Sequence, residues 1–220
     1  PVLKGLAEQN DILPYHILGS YFAGSGAIGD PYLIYTAADL SKLAELVNKG
    51  DLTYAGSGVH YRLEKNIDLS AYSSGEGWIP IGTQAKPFKG IFNGNNKVIT
   101  GLYIKRSTYY QGLFGYIIGG TVENVGVTNI SITGNVYVGG VAGYSSGTVK
   151  NCYIDGSVTG TGNYVGGVAG YAADGKVENC YSSSSVNGAN SVGGVVGYVN
   201  NYTVQNCYST SDVSGTSKAG

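Results

Sequence analysis

The stretch that decides the fold is Val-Gly-Gly-Val-Ala-Gly-Tyr at 138–144, which returns unchanged at 165–171 and as Val-Gly-Gly-Val-Val-Gly-Tyr at 192–198. The three copies open at Val138, Val165 and Val192, evenly spaced. A second phrase, Asn-Cys-Tyr at 151–153, 179–181 and 206–208, keeps nearly the same beat, so the period belongs to a whole structural unit. Working outward, the unit divides into three strand-sized pieces. The first is the Gly-rich phrase, ending at Tyr144, Tyr171 and Tyr198, with an earlier variant Gly-Leu-Phe-Gly-Tyr at 112–116. The second holds Val122, Val149, Val177 and Val204, each followed two residues later by Asn124, Asn151, Asn179 or Asn206. The third reads Ser-Ile-Thr-Gly at 131–134, Ser-Val-Thr-Gly at 157–160, Ser-Val-Asn-Gly at 185–188 and Asp-Val-Ser-Gly at 212–215.

An apolar residue between two polar ones is strand alternation, and it turns Ile132, Val158, Val186 and Val213 inward. A unit this short cannot bury such a face alone, but identical neighbours stacked on it form a continuous core. The reading is an all-β, right-handed parallel β-helix, a solenoid with one coil of about 27 residues per repeat. Its glycines serve corners and close backbone approach. None of them precedes the Lys-Ser/Thr and helix of a phosphate-binding loop.

Composition agrees. With 37 Gly and 20 Tyr among 220 residues and only 12% charged, the chain suits short strands joined by tight turns. A net charge of -1 without a basic cluster predicts no nucleic-acid partner. No apolar run reaches the roughly 18 residues of a membrane span, so no membrane insertion of this segment is expected. The absence of Met, at position 1 as elsewhere, is what an excised piece of a longer protein would show.

Stacked repeats turn single residues into rows. Cys152, Cys180 and Cys207 occupy one position, which predicts a buried thiol ladder; a strained disulfide and a metal site are the alternatives, with no His nearby to complete a zinc set. Asn124, Asn151, Asn179 and Asn206 read as a structural amide ladder in a buried corner, the alternative being a row that binds sugar hydroxyls. Tyr153, Tyr181 and Tyr208 follow the inward cysteines and so point outward. They form either plain β-forming residues or a contact row for glycans or protein. Tyr144, Tyr171 and Tyr198 could line the core or the wall.

The chain divides into an arm or cap strand at 1–23, irregular first coils at 24–110 and regular coils at 111–220. Within the second part, Thr36 and Asp39 form a capping-box pair, and Leu40, Leu43, Ala44 and Val47 mark one face before Gly50. That predicts a helix over 37–48 covering an end or flank of the stack. Strands are expected at 61–69, 78–82, 88–92 and 97–104. The apolar stretch 12–22 packs either on this chain or on a neighbouring copy. At the far end, 215–220 aligns with 188–193, just where the next Gly-rich phrase would begin. This predicts a fragment of a longer protein or a stack completed by another molecule.

Several ordered motifs carry a resemblance over about 24–220. They are Gly-Asp-Pro-Tyr-Leu-Ile at 29–34, Asn-Ile-Asp-Leu-Ser at 66–70, Trp-Ile-Pro-Ile-Gly-Thr at 78–83, Phe-Lys-Gly-Ile-Phe-Asn-Gly-Asn at 88–95 and the repeats themselves. The chain resembles bacterial GLUG-motif proteins. The resemblance implies a secreted or cell-surface β-helix of the type found in adhesin-like proteins and beside immunoglobulin A peptidases of the M26 class. It does not imply peptidase activity, since the only histidines, His16 and His60, do not form the His-Glu-x-x-His of that class. Asp68, Glu64, Lys65, Asp155, Asp174 and Glu178 are too scattered to suggest an acid-base or calcium site. No cofactor and no enzymatic activity are expected. The expected function is a non-catalytic structural or adhesive rod, assembling through further coils or neighbouring copies into a filament; the alternative is a module that binds glycans or host surface proteins.

Overall fold

One row of side chains runs the length of the molecule: Tyr32, Tyr61, Phe92, Val122, Val149, Val177 and Val204 are successive parallel partners. The structure is a computed structural model that describes residues 20–201 and 203–220. Its strands join into one sheet whose strand-to-strand ladders are parallel, wound as a β-helix. The numbering along the row gives the length of each coil. The steps from Tyr32 to Tyr61, Phe92 and Val122 are all longer than those from Val122 to Val149, Val177 and Val204. The stretch 24–110, expected to be irregular, therefore carries the same coil at a longer period. What hides it is a change of core: the row is Tyr, Tyr and Phe in the longer coils and Val from Val122 on. Interiors are close-packed, so a wider coil demands larger side chains. Phe22, Tyr32, Tyr54, Tyr61, Phe88, Phe92 and Phe114 supply them, with ring centroids 4.9–6.2 Å apart.

Each regular coil has the expected three walls. On the first, Phe114, Ala142, Ala169 and Val196 stack in register; on the third, Ile104, Ile132, Val158, Val186 and Val213 do. Two corners recur from coil to coil in left-handed backbone. One is held by Asn124, Asn151, Asn179 and Asn206 with φ of 52–56°, the residue type that tolerates this region best after Gly. The other falls on Tyr110, Tyr137, Tyr164 and Ser191, with φ of 53–64°.

Helix α1 (Ala37–Lys49) stands in the first coil where later coils carry walls. Thr36 Oγ1 accepts from the Asp39 amide at 3.1 Å, while Asp39 Oδ2 accepts from the Thr36 amide at 3.0 Å. Gly50, at φ 75°, closes the other end by donating to the Leu46 and Val47 carbonyls. Leu40, Leu43, Ala44, Leu46 and Val47 are buried against the core. Asn48 then clamps the helix to the next coil, donating to the Pro80 carbonyl at 3.0 Å and accepting from the Gly82 amide at 2.8 Å. A short helix α2 (Leu52–Ala55) adds the buried Tyr54. The strand expected at 78–82 is only a pair of isolated bridges, Gly77 to Ile104 and Ile81 to Phe114.

Of the arm expected over 1–23, residues 1–19, His16 among them, lie outside the described residues. Phe22 is fully buried against Tyr32, Tyr54 and Tyr61, and Ala23 pairs with Leu33, so the described end of the arm packs on its own chain. At the opposite end the core rows reach the surface: Val199 and Val204 are 42% and 39% exposed.

Candidate interaction surface

The asparagine corner is a hydrogen-bonded ladder. The Asn151 amide donates to Asn124 Oδ1 at 2.8 Å and Asn179 donates to Asn151 Oδ1 at 3.1 Å, while Asn124 reaches Asn93 Oδ1 at 3.2 Å. The corner is not buried as expected. Asn151, Asn179 and Asn206 are exposed and Asn124 is half-buried, because a left-handed corner turns the side chain off the wall and along the rim. The amide groups of Asn124, Asn151 and Asn179 are engaged along the axis.

Cys152, Cys180 and Cys207 are free thiols, the first two buried and the third partly so. Each sulfur sits 3.2 Å from the carbonyl two residues before it, on Lys150, Glu178 and Gln205. The carbonyls of Val122, Val149 and Val177 on the coil below lie 3.7–3.8 Å away. Burial pushes the Cys152 thiol well above its ordinary range, and it raises Cys207 too. Among the described residues no group of three His, Cys, Asp or Glu is placed to hold a metal ion.

The scattered acids stay scattered. Glu64 pairs with Arg62, Glu178 with Lys176, and Asp155 accepts from Ser183, on separate coils; Asp68 accepts from the Ser70 amide. On the outside of the second wall, Arg62, Asn93, Glu123, Lys150, Glu178 and Gln205 face one another rung by rung. The Glu123–Lys150 ion pair spans 2.8 Å and the Gln205–Glu178 hydrogen bond 2.7 Å. These pairings favour the native register over a slipped one.

Tyr153, Tyr181 and Tyr208 point outward and stack almost flat, with centroids 5.2 and 5.1 Å apart and interplanar angles of 6° and 7°. Gly126 occupies the rung before Tyr153, and a Cβ there would lie 2.2 Å from the Tyr153 ring, so the ring rests over that glycine. In such a stack each ring covers its neighbour's face. The row presents edges and hydroxyls to solvent, with the exposed Tyr208 at its end.

A larger aromatic face went unrecognised in the sequence. Tyr116, Tyr144, Tyr171 and Tyr198 form one stacked row, with centroids 4.3, 5.3 and 5.1 Å apart. Tyr110, Tyr137 and Tyr164, at the left-handed corner, form a second row at 4.9 and 5.2 Å. The two rows meet edge to face, as in Tyr110–Tyr116 at 4.8 Å and Tyr164–Tyr171 at 5.3 Å. The signal was available, since Tyr110, Tyr137 and Tyr164 are evenly spaced at the repeat period and the last two directly precede the Gly-rich phrase. The glycine before each wall tyrosine makes the meeting possible. A Cβ on Gly143 would come within 2.7 Å of the Tyr110 backbone, and one on Gly170 within 2.6 Å of the Tyr164 carbonyl.

Placing tyrosine in left-handed backbone costs about 1–2 kcal/mol per residue. Aromatic contacts contribute about 0.5–1.5 kcal/mol each, and Tyr137 alone stacks on Tyr110 and Tyr164 and meets Tyr144 and Tyr171 edge-on. The lattice therefore offsets the strain. Partial burial and neighbouring phenols raise the pKa of Tyr110, Tyr116, Tyr137 and Tyr171, so the face is neutral.

Comparison with known proteins places this architecture. Residues 134–159, 161–187 and 188–214 each match the model of the GLUG motif. A protein of Evansella cellulosilytica named a Gly-rich membrane protein is 44% identical over 129 residues, covering 55% of this chain and 14% of that protein. Halomucin of Haloquadratum walsbyi is 35% identical over 138 residues, covering 59% of this chain and 1% of its own length. A crystal structure from Bacteroides ovatus, given the name immunoglobulin A1 protease, superposes with a TM-score of 0.74 at 27% identity, over 91% of this chain and 63% of that one. The chain thus spans a small part of both sequence relatives and less than two thirds of the structural one. The coils that carry Tyr137, Tyr144, Tyr164, Tyr171 and Tyr198 fall within the matched segments, and the chain carries three GLUG-motif repeats.

Proposed function

We propose that this chain is a non-catalytic structural module of a secreted or cell-surface protein, a stiff β-helical rod that serves adhesion. The observation that carries the reading is the unbroken in-register row from Tyr32 to Val204, with side-chain ladders on its corners and walls. Successive coils are braced by backbone pairing, amide ladder, ion pairs and aromatic stacks, which resists bending along the axis. Such bracing suits a spacer. The names of the relatives, a Gly-rich membrane protein and halomucin, support an extracellular setting. The proposed partners along the axis are further coils, of the same protein or of a neighbouring copy, joined by the same parallel in-register pairing that links the described coils.

Two measurements test this. Antibodies raised against the chain should label intact cells of the organism that makes it, or its culture medium; labelling only after lysis would overturn the extracellular assignment. Incubation with immunoglobulin A1 should leave the heavy chain intact over a full day. Specific cleavage by the purified chain would overturn the non-catalytic reading.

A further inference from the structure

We infer that the double tyrosine row is a binding face for a neutral, unbranched polysaccharide of β-1,4-linked hexoses lying along the solenoid axis. The inference deepens the proposed extracellular role by naming a ligand class, but its geometry stands apart from where the protein resides. Four features of the face lead to it. The rings recur at 4.3–5.3 Å along two straight rows that start at Tyr110 and Tyr116 and end at Tyr164 and Tyr198. A lattice of identical phenols is met rung by rung by a partner that advances by a comparable distance per unit. Strands stacked in register lie about 4.8 Å apart, and an extended β-1,4-linked hexose chain advances by about that distance per residue.

The second feature is charge. The stretches that bear these tyrosines, 107–120, 134–147, 161–173 and 188–200, contain no Asp, Glu, Lys or Arg. By contrast, the outside of the second wall is lined by Arg62, Glu123, Lys150 and Glu178, and Asp155 acts on the Tyr181 phenol of the other row. An uncharged face with phenolic hydroxyls suits a ligand of hydroxyls and C–H groups. Exposure is the third feature. Tyr110, Tyr137, Tyr144, Tyr164 and Tyr171 are half-buried, and Tyr109, which flanks Tyr110 and Tyr137, is 54% exposed.

The fourth feature is that the corner can be built without tyrosine. Ser191 occupies the same corner as Tyr164, with the same left-handed backbone, one coil further on. The corner therefore does not need an aromatic residue to fold, yet three successive coils accept one in a strained conformation. Side chains held in disfavoured backbone geometry concentrate where they serve a purpose.

Ser191 also supplies the variant. Isothermal titration with cellotetraose and chitotetraose, using maltotetraose as the α-linked control, should give binding to the β-linked tetramers at least tenfold tighter than to the control. Affinity should rise from dimer to tetramer as successive rungs are filled. Tyr137→Ser/Tyr164→Ser should lose at least tenfold, and Tyr153→Ser/Tyr181→Ser on the other wall should bind as the unaltered chain does. Circular dichroism checks that both variants fold. If the first does not, the length dependence on the unaltered chain decides, and a flat profile overturns the inference. Equal affinity for maltotetraose, no binding of either β-linked tetramer, or equal loss in the two double variants would each overturn it too. So would concentration-dependent self-association abolished by Tyr137→Ser/Tyr164→Ser, which would assign the face to a second copy of the chain. Absence of glycan binding leaves the surface-labelling and cleavage tests of the rod reading untouched.

Discussion

Asn151 does two jobs that substitution can separate. Its backbone sits at φ 53°, and its amide both donates to Asn124 Oδ1 at 2.8 Å and accepts from Asn179 at 3.1 Å. Asn151→Gly keeps the left-handed corner and removes both ladder bonds. Because the position is exposed, the orphaned groups on Asn124 and Asn179 rehydrate, and the loss is the low end of a net hydrogen bond, about 0.5 kcal/mol for each of two. The expected cost is therefore about 1 kcal/mol. Asn151→Ala loses the same bonds and forces a Cβ-bearing residue without local hydrogen-bonding capacity into left-handed backbone, for a further cost of about 1–2 kcal/mol. The order of stability should be Asn, then Gly, then Ala, with Ala about 2–3 kcal/mol below the starting chain. Urea unfolding followed by circular dichroism reads this as a shift in midpoint at constant slope. An alanine variant as stable as the glycine variant would refute the argument that the corner's backbone selects asparagine. A glycine variant as stable as the parent would show that the amide ladder adds nothing to stability.

Four further outcomes follow from the same geometry. Burial raises the phenols of Tyr61, Tyr110, Tyr116, Tyr137 and Tyr171 above their ordinary 10.0, so below pH 10 both folded and unfolded chains hold the proton and stability is unaffected. Above it the unfolded chain ionises first, and the urea midpoint should fall steadily as pH rises past about 10; a flat profile to about pH 11 would contradict the burial of these rings. Thr36→Ala removes the N-cap of α1 and should cost about 1 kcal/mol, while Thr36→Ser, which keeps the hydroxyl, should cost much less. A thiol-reactive dye should label Cys207 quickly and Cys152 and Cys180 only on unfolding, since only Cys207 is partly exposed; three thiols reacting together would contradict the buried ladder. Gly143→Ala drives a Cβ to 2.7 Å from the Tyr110 backbone and should destabilise by about 1–3 kcal/mol, more than Gly119→Ala, where no atom lies within 4 Å but the backbone is left-handed.

The repeat made the solenoid legible because translation along an axis converts equal spacing in sequence into contact in space. Asn, Cys, Val and Tyr rows could be written down from the period and a two-residue alternation, and the capping box of α1 is a local pattern needing no knowledge of the fold. The period of the early coils was illegible for a physical reason. Their length differs from one coil to the next and their core changes from Val to Tyr and Phe, so neither spacing nor residue type repeats, although the wall is the same. Side-chain direction at corners was also out of reach. The asparagines were expected inside and lie at the rim, because alternation describes strands and fails where the backbone turns left-handed.

The sequence by itself therefore determined the coil, its inward rows and its cap, all of which follow from periodicity and short-range chemistry. Only the tertiary structure decided what the outside offers. That Tyr110, Tyr137 and Tyr164 meet Tyr116, Tyr144, Tyr171 and Tyr198 depends on a strained corner folding back over Gly143, Gly170 and Gly197, and no spacing rule specifies the angle at which two rows converge. Stacking covers ring faces in every row, so what sets the double row apart from Tyr153, Tyr181 and Tyr208 is its width and its freedom from charged neighbours. Rows are a property of the chain's period; faces are a property of how rows pack.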